Sequence, residues 1–239
     1  MNAIGVELMS WDFLRALGWL GLTIAIYLLA RRIQDATKGN PLANTVSLAA
    51  LSIMVVLKLW DVPVDAYQQG GFVLLWILGP ATVALAIPLY MNFSHVRAAW
   101  LPMATALVVG SVVAVVSSVA IGYLLGASIE TVRSLAPKTV TTPIAMGIAQ
   151  SIGGIPALTA AFVIFTGIIG AVSASALFKI VHVRDPRARG FALGVSSGGI
   201  GTAHAFQESL LAGTFSGVGM TLNGIFTAIW LPIIWLLFF

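Results

Sequence analysis

The sequence contains no cysteine, which excludes disulfides, thiolate metal sites and cysteine nucleophiles. Charge is nearly as scarce, with Asp, Glu, Lys and Arg making up 8% of the 239 residues, against about 25% in a soluble domain. Nothing ionised lies between Arg97 and Glu130, between Lys138 and Lys179, or between Glu208 and the C-terminus. Each interval is long enough for the ~20 helical residues that cross a ~30 Å hydrocarbon core. The polar residues that a water-facing helix stripe needs at every third or fourth position are missing as well. So are the short alternating segments of a membrane β-barrel. The chain therefore reads as an all-α, polytopic integral membrane protein.

Histidine is sparse too. His95 and His182 fall in basic loops, and three scattered histidines make no metal site. No cofactor, metal or nucleic acid is expected, since the net charge of +4 is ordinary for a membrane protein with basic cytoplasmic loops.

What is abundant is apolar sequence, at 59% of residues with a mean hydropathy of +1.01. Candidate membrane segments are 12–30, 41–60, 71–91, 100–126, 130–151, 155–180, 190–211 and 216–239, seven or eight in all. Glu7 and Asp12 precede the first apolar run and Arg31-Arg32 follow it without a small-residue cleavage site, so that segment is expected to stay rather than be removed as a signal. The connections are short, giving one membrane domain over 1–239. Within it the reading separates N-terminal helices (1–65), two repeat units (71–126 and 130–180) and a C-terminal part (188–239).

The repeat rests on two matched blocks. "LGPATVALAI" from Leu78 matches "LAPKTVTTPI" from Leu135, and "LPMATA" from Leu101 matches "IPALTA" from Ile155, at offsets of 57 and 54 residues. The basic loops around Arg97 and Arg184 share a side only if one of the three segments between them enters and leaves on the same face. The candidate is 130–151, and if its mate at 71–91 does likewise the repeat is inverted.

Both blocks carry helix breakers. Proline costs little at the first position of a helix. The spacing therefore predicts helix restarts at Pro80, after Gly79, and at Pro143, capped by Thr142. Irregular backbone at membrane depth survives where it is buried in protein or lines a wet cavity, and transporters place anions at the N-termini of such half-helices. A lysine there, Lys138, faces a partner, a cavity or the interface; otherwise it snorkels to the membrane surface. Candidate substrate-binding residues are Pro80, Thr82, Lys138, Thr139, Thr141, Thr142 and Pro143.

A third interruption is "GVSSGGIGTAHAFQESL", Gly194 to Leu210. Gly194, Gly198, Gly199 and Gly201 either unwind a helix here or permit close helix packing. Ser196, Ser197, Gly199 and Thr202 join the candidate site. His204 and Glu208, four apart, share a helix face and either carry a proton or hold a helix end in water. "GVSSG" also fits the G-x-S-x-G nucleophile elbow, but no strand-turn-helix accompanies it. Enzyme catalysis is not expected.

The stretches "GPATVALAIPLY", "SLAPKTVTTPIAM", "IGGIPALTAAFVIFTGIIGA", "RDPRARGFALGVSS" and "GIGTA" resemble the LrgB/CidB family of antiholin-like membrane proteins, from about residue 40 onward. The resemblance implies a multi-pass bacterial inner-membrane protein. Members are tied to control of murein hydrolase activity and cell lysis, often beside a smaller LrgA/CidA partner. The family also includes a plastid glycolate/glycerate translocator and systems linked to pyruvate uptake. The family's P-K-S/T-V-T-T-P stretch falls on Pro137 to Pro143. Its S-S-H-x-I-G-T-A pattern is altered, with Gly198 at the histidine position and His204 further on. The combined expectation is a carrier of small carboxylate anions such as pyruvate, glycolate or glycerate, embedded in the lipid bilayer as a homo-oligomer. The runner-up is a holin-like or antiholin-like regulator acting by oligomerisation or with an LrgA/CidA-like protein.

Overall fold

A computed structural model describes residues 3–37, 45–84 and 86–238, and every regular element among them is a helix. The chain divides into two compact units, Met1–Ala84 and Leu85–Phe239. The first holds α1 (Ala3–Ala36), α2 (Thr45–Leu59) and α3 (Val64–Ala84). Here α1 packs on both others. Trp19 meets Tyr67 edge-on at 5.9 Å and Trp60 at 6.4 Å, and the hydroxyls of Thr23 and Tyr67 hydrogen-bond at 2.9 Å. The restart expected at Pro80 is absent, because α3 runs through that proline to Ala84. One interior proline removes a single backbone hydrogen bond, a loss that membrane helices tolerate through local adjustment. Residues 78–84 of the first matched block are therefore helical where the second block is broken.

The second unit contains α4 (Ala86–Met91), α5 (Phe93–Ala98), α6 (Trp100–Leu124), α7 (Ile129–Leu135), α8 (Thr142–Ser151), α9 (Pro156–Ile180), α10 (Pro186–Glu208) and α11 (Leu210–Phe238). Among the described residues four stretches are long and apolar enough to cross a membrane: Phe13–Ala36, Trp100–Leu124, Pro156–Ile180 and Leu210–Leu237. Leu48–Leu59 is apolar but shorter. The final two segments divide at Ser209, not at 212–215 as the hydropathy suggested. Ser209 is extended, and its Oγ accepts from the Ala212 N–H at 3.1 Å, so it caps α11.

Two of the expected segments do not run straight. In α10, Gly198 adopts φ 54° and ψ −135°, outside the helical region and open in practice only to glycine. The Arg189 guanidinium donates to Glu208 at 2.7 Å although 19 residues separate them, a separation of about 28 Å along a straight helix. Residues 186–197 and 199–208 are therefore antiparallel arms folded back at Gly198. A Cβ on Gly201 would stand 2.6 Å from the Leu193 carbonyl oxygen, which places the arms in backbone contact. The 130–151 segment also folds back, by a different route. The Ile155 N–H donates to Ser134 Oγ, in the last turn of α7, at 2.7 Å, so the exit of α8 returns to the end of α7 and residues 136–141 lead out to the tip.

The long helix α9 orders these parts. It begins at Pro156, beside the open end of the first fold-back. Near its middle Gly167 and Gly170 face Ser197 and Ile200 at the tip of the second. Towards its end Phe178 lies 5.1 Å beneath Arg189, at that second fold-back's open end. The two thus approach the middle of α9 from opposite ends. Helix α11 accompanies them. Gly190 and Gly194 have no room for a Cβ against the Ala212 and Ser216 carbonyls, and Leu231 and Trp235 close a core with Val132, Ala145 and Ile148. Helix α6 runs opposite to α9. Met103 and Leu107 pack on Phe191 and Phe215, while Gly122 meets Val132.

Candidate functional site

Where the fold-backs meet, the backbone is irregular in both. Lys138 lies in the turn between α7 and α8, half-buried, and Thr139 beside it is buried. Helix α8 starts after Thr141, which has extended dihedrals but makes no side-chain capping bond. The cap is thus one residue earlier than the sequence suggested, because Thr142 and Pro143 already form the first turn. In the second fold-back a new helix starts after Gly198. Two helix N-termini therefore begin at the junction, each the positive end of a backbone dipole.

Lys138 and Thr139 line a cavity of about 450 Å³ together with Thr166, Ser173, Ser196 and Ser197. This is one cationic group among hydroxyls, with walls otherwise supplied by residues such as Ile169 and Leu177. Chemically it suits a small anion with further hydrogen-bonding oxygens. The Ser196 and Ser197 hydroxyls lie 3.0 Å apart.

The remaining candidates fall elsewhere. Thr141, Thr142 and Pro143 stand beside the tip without lining the cavity. Gly199 is exposed, with open space where a Cβ would be. Thr202 is buried and turned away. Its hydroxyl donates to the Gly198 carbonyl at 2.9 Å and lies 3.0 Å from Ser216 Oγ, tying the fold-back to α11. Pro80 is exposed within α3 of the first unit, and the Thr82 side chain is outside the described residues. His204 and Glu208 sit at the open end of the second fold-back, where Glu208 Oε1 accepts from Arg189 at 2.7 Å and lies 3.8 Å from His204 Nε2. Glu208 is thus an ion-pair partner closing the fold-back's base.

The residue that organises the junction is one that sequence reasoning passed over. Asn223, in α11, is fully buried. Its Nδ2 donates to the Val195 carbonyl at 3.0 Å and reaches both the carbonyl and the hydroxyl of Thr139 at 3.3 Å. Val195 lies in the last turn before Gly198 and Thr139 in the turn after α7, where carbonyls lose their helical donors. Asn223 supplies donors to both breaks at once, as membrane-embedded backbone requires. From its Oδ1 a chain of contacts continues through the Thr227 hydroxyl at 3.2 Å and Ser111 Oγ at 3.0 Å to Trp230 Nε1 at 3.4 Å. The signal was a lone asparagine in a charge-free span, since unpaired polar groups there are costly.

On the rim outside the membrane segments, Asp185 caps α10 through the Arg187 N–H at 2.8 Å. The hydrogen bond from the Arg187 side chain holds the Asp185 carboxyl below its usual range.

Comparison with known proteins places these features in a lineage. The model of the family described as LrgB-like matches residues 23–237. The uncharacterized protein YwbG of Bacillus subtilis is 37% identical over 87% of this chain and 92% of its own length. Holin-like protein CidB of Staphylococcus epidermidis is 31% identical over 95% and 99% of the two chains, and CidB of Staphylococcus aureus is 28% identical over the same shares. No solved structure matches.

Proposed function

We propose that the chain, which belongs to the LrgB-like family, is a carrier of small monocarboxylates such as pyruvate, glycolate or glycerate across the bacterial inner membrane. The observation behind this reading is the junction of the two fold-backs. There Lys138 and the hydroxyls of Thr139, Ser196 and Ser197 share one cavity between broken helices. The fold-backs are re-entrant, entering from opposite membrane faces and ending near mid-depth, since an arm such as 186–197 measures about 18 Å at 1.5 Å per residue. Such an arrangement presents positive helix ends and a cation to an anion within the membrane. Lys138 pairs with the carboxylate, and the serine and threonine hydroxyls receive the 2-oxo or 2-hydroxy oxygen.

Uptake of labelled pyruvate, glycolate and lactate into proteoliposomes tests this. Saturable uptake that falls in Lys138→Ala supports it; uptake unchanged by that substitution, or absent from both proteins, overturns it. A second reading follows the printed name of the staphylococcal relatives, holin-like. On that reading the chain acts by homo-oligomerising or with an LrgA/CidA-like partner. Unselective release of a trapped dye from the same vesicles would favour it.

A further inference from the structure

A second and larger cavity, of about 710 Å³, opens between α6 and the first arm of α10. Its outer end is at Asp185 and Arg187, and its walls are mostly small, with Ala106, Gly110 and Ala188 among them. Three residues, Ala114, Ala192 and Ser196, line both this cavity and the one that holds Lys138. The two spaces therefore share a wall at the level of the fold-back tips.

We propose that the outer cavity is the aqueous passage by which a small carboxylate reaches Lys138, and that Ala114, Ala192 and Ser196 form its selecting neck. This rests on the carrier reading above. The wall of the route is apolar, and its polar groups stand at the two ends, Asp185 and Arg187 at the mouth and Ser196 at the neck; charge at the mouth and a hydroxyl at the neck favour an anion over a lipid chain. Arg187 stands exposed at the mouth beside Asp185, which offsets part of its charge through a 2.6 Å ion pair, so an anion is attracted there without being trapped. Ser196 offers a hydroxyl at the neck, and Lys138 with Thr139 waits beyond it. The neck residues carry a methyl or a hydroxymethyl group, so the opening admits short acids, and added side-chain bulk excludes the longer ones first. Alanine spacing explains why the space exists: Ala106, Gly110 and Ala114 recur every four residues on α6 and face Ala188 and Ala192 on α10.

Because the chain has no cysteine, single cysteines report without background. In the full-length protein reconstituted in liposomes, Ala106→Cys and Ala192→Cys should both react with the anionic thiol reagent MTSES, as should the rim control Arg187→Cys. Pyruvate at about ten times its half-saturating concentration should slow the reaction at Ala192→Cys about tenfold, because roughly one site in ten is then free, while acetone, which lacks the carboxylate, should not. Ala192→Val should depress lactate and pyruvate uptake more than glycolate uptake. Reaction of Ala192→Cys with uncharged N-ethylmaleimide but not with MTSES means the space holds lipid and overturns the passage. Wild-type uptake together with an MTSES-inert Ala192→Cys overturns the passage alone. Pyruvate-sensitive modification without any uptake leaves the passage standing and overturns the carrier.

Discussion

Replacing Asn223 with leucine isolates the contribution of the junction. Leucine has the same number and branching of side-chain heavy atoms and leaves no cavity, so the change removes the hydrogen bonding and adds only methyl bulk. In the native chain Asn223 reaches the Val195 carbonyl, the Thr139 carbonyl and the Thr139 hydroxyl, and accepts from Thr227. Orphaning a buried acceptor costs about 1–3 kcal/mol in soluble proteins, while hydrogen bonds between membrane helices average about 0.6 and reach about 1.7 kcal/mol. Two carbonyls freed by helix breaks lose their donor together, so a total of about 2 kcal/mol is expected, inside the range of about 1.2–3.4 kcal/mol for two such membrane hydrogen bonds. For a chain of this size that corresponds to a fall in Tm of about 4–8 °C, using the soluble-protein scaling. Thermal unfolding in detergent, followed by loss of helical circular dichroism, reads it directly. Thr221→Ala is the control on the same helix, because Thr221 is exposed and bonds only to its own helix at the Gly217 carbonyl. A leucine variant that melts with the control would refute the view that Asn223 ties the two breaks together. The same variant should also lose uptake, since the tips that carry Lys138 and Ser197 are no longer held in register.

Other substitutions probe the fold-back itself. Gly194→Ala should be strongly destabilising, on the order of 3 kcal/mol, because its Cβ would collide with the Ser216 carbonyl; Gly199→Ala, with open space around it, should melt with the wild type, and equal Tm values for the two variants would contradict the packing. Gly198→Ala should cost about 1–3 kcal/mol through backbone strain at its positive φ, measured in the same melting experiment. Glu208→Gln should weaken the closure at the base by removing the 2.7 Å ion pair with Arg189, and protection of the 199–208 amides from hydrogen exchange should fall while that of α9 does not. Asp185 is a carboxyl held low by Arg187, so its contribution to the α10 cap is present at neutral pH and is lost as pH falls through that depressed value. Asp185→Asn should flatten the acid side of the Tm profile.

Much of this architecture was written in local chemistry. Charge-free runs located α6, α9 and α11, and the prolines with Lys138 marked a break between α7 and α8. Clustered glycine and serine marked the break at Gly198. Neither pattern could say that the breaks face each other, because that depends on contacts such as Asn223 to Thr139, 84 residues apart. The restart expected at Pro80 failed for a related reason. Similar residues produced a helix running through Pro80 in one case and a turn at Pro137 in the other, since proline alone does not decide a break when packing can absorb it. Each fold-back is followed by a long helix, although "PKTVTT" and "SSGGIG" share no obvious pattern. His204 and Glu208 were readable as an i, i+4 pair, but Arg189, which fixes Glu208, lies at the far end of a helix that only the fold-back brings near.

The central claim is that Lys138 binds the carboxylate of a transported acid, and the ratio of initial pyruvate uptake by wild-type protein and Lys138→Ala tests it most directly. A hydrogen-bonded charge contact contributes about 1.5–3 kcal/mol, so uptake at subsaturating pyruvate should fall about ten- to a hundredfold with Tm little changed. Equal rates from two equally folded proteins would contradict it.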